Sequence, residues 1–110
     1  MPAQYILRKS RDNQFYFNLT AENNEIILTS ETYLSKDGAM RGIQSVRTNS
    51  PLDSRYSRDT SSDGRYYFRL KAANNETIGT SETYNTEQAR ENGVQAVKRV
   101  GPTASANDQA

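Results

Sequence analysis

At 110 residues, with 34% apolar residues and a mean hydropathy of −0.93, the chain has room for one compact core. Fourteen Lys and Arg against 13 Asp and Glu leave a formal charge of +1, which argues against strong non-specific attraction to nucleic acid or an anionic membrane but leaves room for a local basic patch. The absence of Cys and His removes disulfides, thiolate metal sites, Cys nucleophiles and the commonest general base near neutral pH.

Tyr5 to Ser10 reads as a first strand, ending in a turn at Asp12-Asn13. From Phe15 to Ala21 the pattern alternates. Phe15, Phe17, Leu19 and Ala21 point one way, and Tyr16, Asn18 and Thr20 the other, which is the period of a half-buried strand. Asn23-Asn24 follows as a tight turn, because Asn tolerates positive φ, and Glu25 to Ser30 makes a third, β-branched strand. The period then changes. Ser35 is placed to cap a helix, Asp37 suits the positive end of its dipole, and Ala39, Ile43 and Val46 fall on one helical face. Arg47 closes the last turn, Pro51 stops it, and Asn49 to Arg55 reads as a linker. The same order then returns. A strand spans Arg55 to Thr60, with a turn at Asp63-Gly64. A central strand turns Tyr66, Phe68, Leu70 and Ala72 inward and Arg65, Tyr67, Arg69 and Lys71 outward. A turn at Asn74-Asn75 leads to a strand from Thr77 to Ser81. The second helix is capped by Thr86, with Glu87 in its first turn and Ala89, Gly93, Val94 and Val97 on its apolar face. Lys98-Arg99 and Pro102 end it. Residues 103–110 are small and polar, and read as a flexible tail.

The two halves superpose at a fixed offset of 51, without a gap, from Tyr5 over Tyr56 to Pro51 over Pro102, with roughly 20 of 47 positions identical. One domain over residues 1–110 therefore contains repeat 1 (4–54) and repeat 2 (55–102). Three short strands and a helix bury too little surface alone. The expected fold is α+β: one antiparallel sheet built from both repeats, both helices on one face, related by a pseudo-two-fold axis.

The pattern that occurs twice resembles that of the YegP-like bacterial proteins, a family built from a short, often tandem repeated domain of unknown function. Phe17, Leu19, Ala21, Asn24, Ile27, Ser30, Tyr33, Gly42, Ile43 and Val46 carry it once, and Phe68, Leu70, Ala72, Asn75, Ile78, Ser81, Tyr84, Gly93, Val94 and Val97 carry it again. The resemblance covers almost the whole chain. It implies two β-β-β-α-β units merged in one sheet with exchanged terminal strands, the strand from Arg55 to Thr60 completing the first unit while starting the second. It brings no activity, cofactor or catalytic residue.

Three function classes remain. The longest identical stretch runs from Thr29 to Tyr33 and from Thr80 to Tyr84. Its Ser30, Glu31, Tyr33, Ser81, Glu82 and Tyr84 make either two symmetric polar pockets or a strand-to-helix corner that satisfies backbone groups, and the structural reading is the stronger. Glu31 and Glu82 as paired acid–base carboxylates have no further support, so no catalytic, metal or cofactor site is assigned. The outward row Tyr16, Arg65, Tyr67, Arg69 and Lys71 is the better partner-binding candidate. It suits a protein-interaction module or, as the alternative, a face that stacks and neutralises single-stranded nucleic acid. The basic character is confined to repeat 2, which favours the first. No signal-peptide pattern occupies Met1 to Ile6, and no apolar run approaches the roughly 20 residues of a membrane span, so a cytoplasmic location is expected.

Overall fold

A computed structural model describes residues 2–110; Met1 lies outside the described residues. In chain order the elements are β1 (Gln4–Lys9), β2 (Phe15–Thr20), β3 (Ile26–Ser30), α1 (Lys36–Asn49), a 3-10 turn (Asp53–Arg55), β4 (Tyr56–Thr60), β5 (Tyr66–Lys71), β6 (Thr77–Thr80), α2 (Glu87–Val100) and β7 (Ser105–Asp108). The sheet order is β4-β5-β6-β3-β2-β1-β7, antiparallel except for the parallel pair β1–β7. Asn13, Asn24, Asn75 and Gly64 all adopt positive φ, so the expected turns are in place. Ser35 and Thr86 cap the helices by accepting from the Gly38 and Ala89 amides.

Both helices lie on one face and each crosses the repeat boundary. Helix α1 packs on β2 of its own repeat and on β5 and β6 of the other, and α2 packs on β5 and on β3. Phe17, Leu19, Phe68, Leu70, Ile43, Val46, Val94 and Val97 are fully buried in one shared cluster. Neither repeat has a core of its own, as the alternation and the helical stripes require.

The pseudo-two-fold axis passes through the β3–β6 pair, where Thr29 faces its own counterpart Thr80. Equivalent residues meet along this axis, and at two of these places, Leu28/Gly79 and Ser50/Gly101, the repeats differ. A Cβ on Gly79 would lie 2.9 Å from Leu28 Cγ, and a Cβ on Gly101 would lie 2.5 Å from Ser50 Oγ. In both pairs one copy carries a side chain and the other is glycine, because two side chains cannot fill one space. Nearby, Tyr5 donates to Gly101 O at 2.5 Å and Tyr56 to Ser50 O at 2.7 Å, a matched pair of buried phenols tying each first strand to a helix end. Burial holds both hydroxyls well above the ordinary tyrosine pKa.

Two expectations are corrected. Residues 105–108 are not a loose tail but strand β7, paired with β1 from Gln4↔Ser105 to Leu7↔Asp108. Nothing in Ser-Ala-Asn-Asp favours a strand; the open edge of β1 imposes it. The strand exchange exists, but through β7, which follows helix α2 of repeat 2 and completes the sheet of repeat 1. Strand β4 pairs with β5 alone among the described residues and does not complete repeat 1.

The two sheet edges are therefore unlike, and the side chains show why. Beneath β7 the seam is apolar, with Leu7 and Ala39 fully buried. At β4 the equivalent positions are Arg58 and Arg90. Arg58 binds both carboxylate oxygens of Glu91 (3.0 and 2.9 Å) and Asp53 (2.9 Å), and Lys98 also reaches Asp53 (2.7 Å). Charges on an edge strand discourage a further strand. Arg58→Leu should restore the apolar seam without a strand to cover it, giving association that rises with concentration in sedimentation velocity. Behaviour unchanged from the parent up to millimolar chain would show that the charges do not guard this edge.

Candidate functional site

Because Phe17, Leu19, Phe68 and Leu70 turn toward the helices, Tyr16, Asn18, Thr20, Tyr67, Arg69 and Lys71 share the opposite face, which no element covers among the described residues. Tyr16 and Tyr67 are half-buried and sit on β2 and β5, three strand spacings apart across the sheet and, on either side of the aligned row Asn18, Thr29, Thr80 and Arg69, about four residues apart along it, which is roughly 20 Å in all. The predicted basic row is only partly free. Arg69 Nε pairs with Asp59 at 3.1 Å, and exposed Arg65 lies 3.8 Å from Asp63 and 3.4 Å from the Thr83 hydroxyl. In repeat 1 the corresponding surface is closed by its own side chains. Arg8 donates to Asn18 Oδ1, and Asn18 donates to the Thr29 hydroxyl, leaving Asn18 and Thr20 buried.

The repeated corner is a backbone device. Ser30 Oγ accepts from the Phe17 amide (2.9 Å) and donates to Glu31 O (2.8 Å); Ser81 does the same with Phe68 (2.9 Å) and Glu82 O (2.7 Å). Each hydroxyl bridges the point where the strand leaves the ladder. The Tyr33 ring stacks on Phe17 with centroids 6.4 Å apart, and Tyr84 on Phe68 at 6.5 Å. Burial raises the pKa of both phenols, with a smaller push from Glu31 on Tyr33 and from Glu82 and Glu25 on Tyr84. Glu31 and Glu82 are exposed and do not share a cleft: Glu31 lines one of the two clefts described next, and Glu82 lines neither.

The structure adds a grouping that the sequence did not reveal. Two clefts, of about 480 and 400 Å³, straddle the repeat boundary. The first sets Tyr33, Arg41 and Gly42 of repeat 1 against Ala72, Asn74, Glu76 and Ile78 of repeat 2. The second sets Tyr84, Asn92 and Gly93 of repeat 2 against Ala21, Asn23, Glu25 and Ile27 of repeat 1. The Asn-Asn-Glu turn and the Tyr corner, apart in sequence, thus meet across the boundary in both copies. Their joint recurrence at the 51-residue offset was the available signal, but sequence alone could not show that they line one cleft.

Arg99 closes one side of the second cleft by binding Glu22 through two bonds, at 2.9 and 3.1 Å. These bonds hold the Glu22 carboxyl at about 2, below its ordinary 4.5. A depressed folded value means that the pair's contribution is complete above the unfolded pKa and is lost as pH falls from near 4.5 through about 2. In Arg99→Gln, the Glu22 carboxyl resonance should titrate near 4.5. A midpoint that stays near 2 rejects the pairing.

The sequence profile of a domain of unknown function, DUF1508, matches twice, over residues 10–57 and 61–108. The chain belongs to the DUF1508-repeat family of UPF0339 proteins. YegP of Escherichia coli K12 is 51% identical over 108 residues, covering 98% of each chain, and a UPF0339 protein of Shewanella oneidensis is 48% identical over the same span. The solution structure of the Shewanella protein matches with a TM-score of 0.91, covering 98% of this chain and 92% of that one. The solution structure of YegP, a protein of unknown function, matches at 0.93 with 50% identity, covering 99% and 94%. Both DUF1508 matches end at equivalent positions, Ser57 and Asp108. The UPF0339 repeat thus includes the segment after its helix, which becomes β7 in one copy and runs into β4 in the other. Among the described residues no helix is long and apolar enough to cross a membrane, and no group of three or more Asp or Glu is placed to hold a metal ion.

Proposed function

We propose that this UPF0339 protein is a non-enzymatic module that binds another protein through the uncovered face of its sheet. The observation that carries this reading is a face opposite both helices that presents two half-buried tyrosines, Tyr16 and Tyr67, roughly 20 Å apart on the diagonal of the sheet. Tyrosines with an apolar body and a polar tip are common interface anchors. Arg69 and Lys71 give the repeat 2 half of this face its own character, so a partner is read asymmetrically. Binding of single-stranded nucleic acid needs uncompensated cations, and Asp59 ties up Arg69.

Proteins retained from lysate by the immobilised chain should be lost with Tyr16→Ser/Tyr67→Ser, a variant whose thermal unfolding should match the parent's. Equal retention by both proteins, or none by the parent, ends this reading. Oligonucleotide retention that falls steeply with salt and disappears in Arg65→Ala/Arg69→Ala would replace it with the nucleic-acid alternative.

A further inference from the structure

Strand β7 is an unusual closing strand. Three of its four residues, Ser105, Ala106 and Asp108, are exposed, and the fourth, Asn107, is half-buried. Its own side chains therefore gain little from packing. They make a 3.3 Å bond from Asn107 to Gln4 Oε1 and an exposed ion pair between Asp108 and Lys36 at 2.9 Å. What holds β7 is the backbone of β1: the Gln109 amide donates to Leu7 O at 2.9 Å, and the parallel register runs back to Gln4. By contrast, β1 itself places Tyr5 and Leu7 fully out of solvent. The acceptor edge thus needs a strand, while the strand filling it is only loosely specified.

The fit is also incomplete. Strand β1 has six residues and β7 pairs with four of them, leaving Arg8 and Lys9 beyond the last paired rung. The bond to Leu7 O fixes which backbone groups face this edge, and by strand alternation Lys9 presents its N–H and C=O there as well. Lys36 stands on the side where Asp108 lies, and Lys9, which by alternation shares the face of Leu7 and is next along that face, holds its ammonium over the Phe15 ring of β2 at 5.5 Å. The opposite sheet edge, guarded by Arg58, Glu91 and Asp53, lacks these properties.

We propose that the β1 edge is a strand-acceptor site, occupied in cis by β7, for an extended peptide of another protein that pairs parallel to β1. Its chemistry follows from the edge. The peptide has small or polar residues opposite Gln4 to Ile6, a carboxylate at the Asp108 position to meet Lys36, and a second carboxylate two residues on, beside Lys9. Such a peptide makes the same rungs as β7 and adds one at Lys9, so it displaces a segment that has the advantage of being tethered. This site is separate from the sheet face carrying Tyr16 and Tyr67, so either reading can fail without the other.

The test uses the full chain and a fluorescein-labelled peptide, ASANDVE, which repeats residues 104–108 and continues with valine and glutamate. Asn107→Pro removes an amide that faces β1 and unlatches β7. Fluorescence anisotropy should show at least tenfold tighter uptake by Asn107→Pro than by the parent, because the competing conformer is weakened. Adding Lys36→Glu should reverse at least fivefold of that gain, and the Leu7 and Lys9 amide resonances should shift on binding. A folded Asn107→Pro that takes up peptide no better than the parent overturns the proposal. So does one that self-associates instead, which would assign the edge to a second copy. If Asn107→Pro does not fold, hydrogen exchange in the parent decides. Asn107 and Gln109 amides exchanging at least 100-fold faster than those of Leu19 and Leu70 support a displaceable strand, and equal rates overturn it.

Discussion

Leucine at Gly79, the residue that the first repeat carries at the equivalent Leu28, is expected to cost about 3 kcal/mol and lower Tm by about 15 °C for a domain of this size. The new Cβ would meet Leu28 Cγ at 2.9 Å and the Thr29 carbonyl oxygen at 3.0 Å. The second contact is with backbone and cannot yield without disturbing the β3–β6 pairing at Thr29↔Thr80 and Ser30↔Gly79. Leu28→Gly, which empties a fully buried position, should cost about 4 kcal/mol by itself. The double variant Leu28→Gly/Gly79→Leu moves the leucine across the axis and should recover at least half of the summed loss. Thermal unfolding of the four proteins gives the coupling directly. Losses that simply add would show that the two positions do not share one space.

Gly42→Ala should also destabilise, by about 2 kcal/mol, although an alanine in a helix interior ordinarily gains about 1 kcal/mol over glycine. At Gly42 a Cβ would overlap the Tyr33 hydroxyl and lie 2.7 Å from its Cζ, with Phe17 behind at 3.1 Å. Gly93 stands in the same relation to Tyr84 and Phe68. The glycines let the helices sit directly on the stacked Tyr–Phe pairs. The decisive measurement is the sign of the change in a Tyr33→Leu background. There Gly42→Ala should become stabilising, by about 1 kcal/mol in urea denaturation, because the ring that forbids it is gone. A change that destabilises equally in both backgrounds would locate the constraint somewhere other than Tyr33.

Both predictions concern glycines that a reading of helix and strand propensity treats as weaknesses. Gly42 falls inside a clear helical pattern and Gly79 inside a strand pattern. Neither position alone discloses that a tyrosine or a leucine from another element fills the missing Cβ. The candidate site was legible to a similar depth. Alternation placed Tyr16, Tyr67, Arg69 and Lys71 together on the uncovered face. It could not show that Asp59 neutralises Arg69, because that pair depends on the β4–β5 register. The corner at Ser30 and Ser81 was legible as a backbone device because a hydroxyl where the strand period breaks has an obvious task. The clefts that join each corner to the other repeat's Asn turn were not, since a sequence offset reveals likeness but not contact.

The sequence by itself determined the duplication, the strands and helices of each copy, the positive-φ turns, the caps, the buried faces of the central strands β2 and β5 and most of the buried faces of the two helices. These are local quantities, set by periods of two and 3.6 residues and by the backbone freedom of Asn and Gly. Only the tertiary structure decided where the copies had to differ and how the sheet ends. Leu28 and Gly79 differ because the axis makes them neighbours, as it does Ser50 and Gly101. Residues 105–108 become a strand because β1 presents an unfilled row of backbone donors and acceptors over buried Tyr5 and Leu7, an influence that no feature of Ser-Ala-Asn-Asp encodes.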